Sequence, residues 1–160
     1  MNGGGKNEQD KIEVLRSLLG QKHGAIREDH QTRLLNKQAF GQDHRAGEPV
    51  GVLYIDFIWE SVKFWNSDAR NEFYVRLGLE LAKADEGMVF YHFYDEVFVV
   101  RFRDPSTAEV QMLALVTHLR ALDMTFARHG TTFPAKGISC HFGIAGDFDG
   151  AYLRAARVTK

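Results

Sequence analysis

The chain has one cysteine, no long apolar run and almost no net charge, and each shortage removes a class of function. A lone thiol forms neither an internal disulfide nor a cysteine metal cluster, and Cys140, flanked by apolar residues, reads as a buried thiol. Apolar runs such as Val97 to Val100 fall far short of the roughly 20 residues that cross a bilayer. With 20 basic and 21 acidic side chains the formal charge is −1, and the two signs are interspersed. General binding to nucleic acid or an anionic membrane needs a basic surface, so neither partner is expected. Met1-Asn2-Gly3-Gly4-Gly5-Lys6 holds no apolar segment and reads as a flexible tail, not a secretory signal. A cytoplasmic location is expected.

What is present suits one globular domain with a single core: 160 residues, 44% hydrophobic and 26% charged. From Asn7 onward Ile12, Leu15, Leu18 and Leu19 share one helical stripe. That helix is suited to joining a partner or its own copy, or to packing on its own domain. A second helix is predicted to start at Thr32, with Leu34, Leu35, Ala39 and Phe40 inward. Val50-Gly51-Val52-Leu53-Tyr54-Ile55-Asp56-Phe57 reads as a buried strand with Asp56 near its carboxyl end. Asn66-Ser67-Asp68 caps a helix carrying Phe73, Leu77, Leu81 and Ala84. Asp104-Pro105 opens another, with Val110, Leu113, Thr117 and Leu122 at helical spacing. Gly137 to Ala145 is a further strand, and Tyr152 to Arg157 a short final helix. This order predicts an α+β fold, a central mostly antiparallel sheet with helices packed on it, of ferredoxin-like type.

Tyr91-His92-Phe93-Tyr94-Asp95-Glu96-Val97-Phe98-Val99-Val100 is the most telling stretch. It reads as a β-hairpin with Asp95 and Glu96 at the tip, where adjacent acids can hold a divalent cation against a phosphate. Strand alternation puts Tyr91 and Phe93 on one face and Phe90, His92 and Tyr94 on the other, with Tyr94 the contact residue near the tip. His92, His118 and His141 lack metal-ligand spacing and read as structural or surface histidines. No nucleophile–base arrangement is suggested.

Asp29-His30-Gln31-Thr32-Arg33-Leu34-Leu35-Asn36-Lys37-Gln38-Ala39-Phe40 resembles the opening motif of the GGDEF family, typically D-x-L-T-G-L-L-N-R-R-x-F. Tyr54-Ile55-Asp56-Phe57 is similar to that family's metal-binding strand. Phe93-Tyr94-Asp95-Glu96-Val97 stands where G-G-D/E-E-F would be, and Phe142-Gly143-Ile144-Ala145 resembles its late S-x-G-I-A strand. The ordered set spans roughly residues 29–157 and implies a nucleotidyl-cyclase-like GGDEF fold, whose members condense two GTP molecules into cyclic di-GMP. It divides the chain into a tail and N-terminal helix at 1–28 and a degenerate GGDEF domain at 29–160.

Carried over residue by residue, the resemblance implies Mg²⁺ ligation by Asp56, Asp95 and the carbonyl of Phe57, and guanine recognition by Asn66 and Glu72. The plainer reading of Asp56 and Asp95 is that they are relics, solvated at strand ends. Several positions depart from the pattern. Ile58 replaces a second acid, and the phosphate-contacting lysine position falls on Ser61, with Lys63 two residues late. The loop expected over the nucleotide contains Trp59, Phe64 and Trp65. Phe93 and Tyr94 replace glycines that permit positive φ and close phosphate approach. The product-inhibition motif R-x-x-D maps onto Ala84-Asp85-Glu86-Gly87 and is absent. The resemblance therefore implies an inactive domain in which Asp95 and Glu96 are vestigial, no cofactor is expected, and Phe93 and Tyr94 form an interaction surface. The partner would be a bacterial signalling protein or a second copy. Two alternatives stay open: a receptor that binds GTP and Mg²⁺ without turnover, and a weakly active diguanylate cyclase.

Overall fold

Strands buried on both faces need apolar side chains at nearly every position, and two runs of this chain supply them. In a computed structural model, which describes residues 11, 12, 14, 25–56, 62–84 and 87–157, these runs lie at the centre of a five-stranded sheet. Its strands are β1 (Leu35–Asn36), β2 (Val50–Ile55), β3 (Met88–Tyr94), β4 (Val97–Phe102) and β7 (Cys140–Ala145), in the spatial order β1-β3-β4-β2-β7. β1 runs parallel to β3, and every other pairing is antiparallel. A separate hairpin joins β5 (Phe126–Arg128) to β6 (Thr131–Phe133). The helices described end to end are α1 (Lys37–Asp43), α2 (Ser67–Ala82), α3 (Ala108–Ala121) and α4 (Phe148–Arg157). The expected α+β architecture, with a mostly antiparallel sheet, is the one observed.

The period of two along each strand divides the interior in two. Leu53, Ile55, Phe90, Phe98 and Val100 face α2 and α3 and pack with Phe73, Leu77, Met112 and Leu119. Val50, Val52, Tyr91, Val97 and Val99 face α1 and α4 and pack with Ala39, Phe40, Ala151 and Ala155. Trp65 closes one end of the first core, edge-on to Phe73, Phe126 and Phe133.

Several local expectations are corrected. The helix expected from Thr32 starts at Lys37, because Asn36 is its cap and accepts a hydrogen bond from the Ala39 amide at 2.8 Å. Residues 29–34 form a turn instead, held by the Asp29 carboxylate, which accepts from the Thr32 amide and hydroxyl, both at 2.8 Å. On α3 the buried stripe is Ala108, Met112, Leu115, Val116 and Leu119, whereas Val110 and Leu113 are 71% and 56% exposed. Two apolar stripes ran along this helix, and only packing against the sheet selected one. The β5–β6 hairpin was not anticipated; its strands are short and carry no clean alternation, and its turn is His129-Gly130, both at positive φ. The last strand begins at Cys140 and the last helix at Phe148.

Ahead of Asp29, residues 25–28 already join the folded unit: Glu28 bridges Leu35, and Arg27 pairs with Asp43 at 2.6 Å. Residues 11, 12 and 14 are helical, with Ile12 buried. Leu15, Leu18, Leu19, Phe57, Ile58, Trp59, Ser61, Asp85 and Glu86 lie outside the described residues. No helix among the described residues is long and apolar enough to cross a membrane.

Gly78 on α2 is where the 29–34 turn docks. A Cβ there would stand 2.3 Å from the Thr32 carbonyl oxygen, a backbone atom that cannot swing aside. Gly78→Ala is expected to lower unfolding free energy by about 1–3 kcal/mol in urea titrations, the usual cost of overpacking. Gly41→Ala on α1, where nothing lies within 4 Å, should instead raise it by about 0.5–1 kcal/mol.

Candidate functional site: a carboxylate turn facing a basic helix start

The β3–β4 hairpin turns through Asp95 and Glu96, as read from the sequence. Its backbone does not need glycine where glycine was expected. Phe93 and Tyr94 stay in β3, and the positive φ falls on Asp95, at 40°. Aspartate tolerates the left-handed region better than most residues. A register shift between His92 and Tyr94 absorbs the irregularity. The other left-handed residue of the two motifs is Arg33, with φ 67°, at the glycine position of the D-x-L-T-G-L pattern. Its guanidinium pairs with Glu28.

Phe93 packs between two helices. Its ring stacks on Phe148 at 5.0 Å, meets Phe40 edge-on at 5.5 Å and lies under the Lys37 ammonium at 5.6 Å. It therefore fastens the hairpin between α1 and α4, and of the two residues expected to form a contact surface only Tyr94 is exposed, at 46%.

The tip is held from two sides. The Ile55 amide donates to the Glu96 carbonyl at 2.9 Å, and the Tyr54 hydroxyl donates to Glu96 Oε1 at 3.3 Å. Burial and the Glu96 carboxylate push the Tyr54 hydroxyl up to about 12. On the other side His92, 2% exposed, lies between the two motifs. Its Nε2 is 3.0 Å from the Asp95 carbonyl oxygen and its Nδ1 is 2.9 Å from Asp29 Oδ2. The imidazole stacks on Phe98 at 4.5 Å and lies 5.5 Å from the Tyr74 ring. Burial alone would raise the Asp29 carboxyl, but the hydrogen bonds and charge from His92, together with those from Thr32, outweigh it and hold the group below the usual carboxylate range.

Asp95 and Glu96 line a cleft of about 230 Å³ with Gln31, Val62, Lys63, Ser67, Arg70, Asn71 and Tyr74. One wall carries two carboxylates; the opposite wall carries an ammonium, a guanidinium and an amide. Burial first, then the charges of Asp95 and Glu96, push the Tyr74 hydroxyl upward. Glu96 Oε2 is buried and has no hydrogen-bond partner. Such an arrangement fits a cation that shares its oxygen ligands with a phosphate, since Mg²⁺ is usually held by one or two carboxylates plus phosphate and water. Among the described residues no group of three or more His, Cys, Asp or Glu side chains converges on one point, so phosphate and water would supply the remaining ligands.

The other expected site residues lie outside this cleft lining. Asp56, at the end of β2, pairs through Oδ2 with His141 Nε2 at 3.3 Å. Asn66 accepts from the Ala69 amide at 2.8 Å as the cap of α2. Glu72 is 7% exposed and held by Arg76 at 2.9 Å and Arg128 at 2.7 Å, on the side of α2 that meets β5. Its neighbour Asn71 lines the cleft instead. Lys63 does so too, despite its late position, while Phe64 beside it is 83% exposed. The signal for this wall was present in the sequence: Ser67, Arg70, Asn71 and Tyr74 recur at i, i+3, i+4 and i+7, one face of α2.

Among solved structures, a sensory box/GGDEF family protein from Caulobacter crescentus shares 16% identity over 83% of this chain and 97% of that chain, with a TM-score of 0.60. The diguanylate cyclase SiaD from Pseudomonas aeruginosa, solved in complex with its activator SiaC, shares 19% identity over 94% of this chain and 65% of that chain, at 0.62. This chain has the GGDEF fold. The coiled coil and GGDEF domain of DgcB from Caulobacter crescentus, solved in complex with c-di-GMP, gives 16% identity over 93% and 86% of the two chains, at 0.61. No protein-family model and no curated protein matches the sequence. Within the GGDEF fold, the opening motif and the hairpin come together through His92.

Two outcomes test this site. Phe93→Gly, which introduces the glycine of the motif it resembles, is expected to cost about 2–4 kcal/mol of stability, from lost aromatic packing and strand entropy, measured by chemical denaturation. The Asp29 carboxyl is depressed in the folded state, so its contribution is complete above the unfolded value of about 4 and is lost as pH falls through the folded one. Asp29→Asn should therefore flatten the acid limb of the stability–pH curve below pH ~4.

Proposed function

We propose that this domain is a catalytically inactive member of the GGDEF type, acting as a regulatory or protein-interaction module in cyclic di-GMP signalling. The observation that carries this reading is the pairing of Asp56. The family's chemistry calls for the strand acid and the hairpin acid on one cation; here Asp56 is paired with His141, and only Asp95 and Glu96 reach the cleft. Recognition then falls to the exposed parts of the hairpin end, with Tyr94 the contact residue. A protein partner is in keeping with SiaD, which was solved with its activator protein.

A second reading has its own observation. Lys63, Arg70 and Asn71 facing Asp95 and Glu96 form a polar cleft suited to the phosphates and cation of Mg·GTP, bound without turnover. When bound, the cation would neutralise the carboxylates and the phosphate oxygens together. Glu96 Oε2 would then gain the partner it lacks.

Purified protein incubated with GTP and Mg²⁺ is expected to yield no cyclic di-GMP. Product that Asp95→Ala abolishes would overturn the proposal and establish a weak cyclase. Calorimetry with Mg·GTP decides the second reading: binding that weakens about tenfold, roughly 1.4 kcal/mol, in Lys63→Ala and Arg70→Ala supports it, and no heat rejects it.

A further inference from the structure

Neither ring nitrogen of His92 faces a group that carries hydrogen. Nδ1 meets the Asp29 carboxylate at 2.9 Å and Nε2 meets the Asp95 carbonyl at 3.0 Å, so both contacts call for a donor on the ring. The ring itself cannot drift. It is 2% exposed and sandwiched between Phe98 and Tyr74, and Asp29 is fixed in turn by the Thr32 amide and hydroxyl. The Thr32 backbone sits against Gly78 on α2, the same helix that supplies Ser67, Arg70, Asn71 and Tyr74 to the cleft. A continuous set of contacts thus runs from α2, through the 29–34 turn, to the backbone of the carboxylate turn opposite.

We infer that His92 is the positioning residue of the cleft: held by Asp29, it fixes the Asp95 carbonyl and so sets where the Asp95 and Glu96 carboxylates stand relative to Lys63 and Arg70. A two-residue turn with a non-glycine left-handed residue has several accessible backbone states, and the Ile55 amide restrains it only at the Glu96 carbonyl. The bond from His92 restrains the other residue, because it reaches the carbonyl of the left-handed Asp95 itself. The consequence for a ligand rests on the Mg·GTP reading of the cleft; the consequence for the turn does not.

The two nitrogens can be tested separately, since a glutamine amide nitrogen reaches about as far as Nε2 and an asparagine amide nitrogen about as far as Nδ1. His92→Gln keeps a donor for Asp95, whereas His92→Asn keeps one only for Asp29. Leu119→Ala, in the core face of α3, serves as a destabilised control that leaves His92, Asp29 and the turn residues unchanged. Backbone NMR order parameters of Asp95 and Glu96 are expected near ~0.85 in the parent, His92→Gln and Leu119→Ala, and below ~0.6 in His92→Asn. Mg·GTP affinity by calorimetry should fall about 10–100-fold in His92→Asn and stay within about threefold of the parent in His92→Gln and Leu119→Ala. Order parameters that stay high in His92→Asn, or that fall equally in both histidine variants, would overturn the assignment. Should the parent protein not bind Mg·GTP, the ligand reading of the cleft fails by itself, and the order parameters alone decide the role of His92.

Discussion

The alternation of side chains along β3 is the constraint on which the rest of the structure depends. Because successive residues leave a strand on opposite faces, Tyr91 and Phe93 are committed to α1 and α4, and Phe90 and His92 to α2 and α3. One register slip would put the imidazole among the aromatic rings of the α1–α4 side and expose the phenyl rings to the cleft. The antiparallel pairing of β3 with β4 and of β2 with β4 holds that register, and the single shift occurs only at the tip, between His92 and Tyr94.

This division explains how Phe93 and Tyr94 can stand directly ahead of two acids at a tight turn. Bulk at positions 93 and 94 would block a phosphate site only if the side chains pointed toward it. Phe93 leaves on the far face and becomes an anchor between Phe40 and Phe148. Asp95 takes the positive φ, and His92 fixes its carbonyl from the near face. The acids end up lining one cleft with Lys63 and Arg70. Asp56, at the end of β2, pairs with His141 and does not line that cleft.

The two polar networks differ in what they do. Around Tyr91, the hydroxyl donates to Asp43 at 2.8 Å, Asp43 pairs with Arg27, and Arg101 reaches Glu48, tying residues ahead of Asp29 to α1 and the strands. Tyr91 is buried, but the charged groups are partly solvated, and such pairs add little to stability. The Asp29–His92 contact is shielded on the histidine side and joins segments 63 residues apart in sequence, so its removal would leave a buried donor without a partner.

Much of the fold was determined by the sequence itself. Continuous apolar runs specified β2 and β4, adjacent acids specified the hairpin tip, and Asn66 and Asp104-Pro105 marked helix starts, all through short-range chemistry that acts before any packing. The ordered motifs also pointed to the GGDEF architecture. What only the tertiary structure decided depends on contacts between distant segments. Which apolar stripe of α3 is buried was settled by the sheet, and the short β5–β6 pairing by Trp65 and the core beneath it. Glu72 was claimed by Arg128, 56 residues away, which left Asn71 to the cleft. His92, with no ligand spacing in the sequence, became the link between two motifs because the fold brings a carboxylate to one of its nitrogens and a carbonyl to the other.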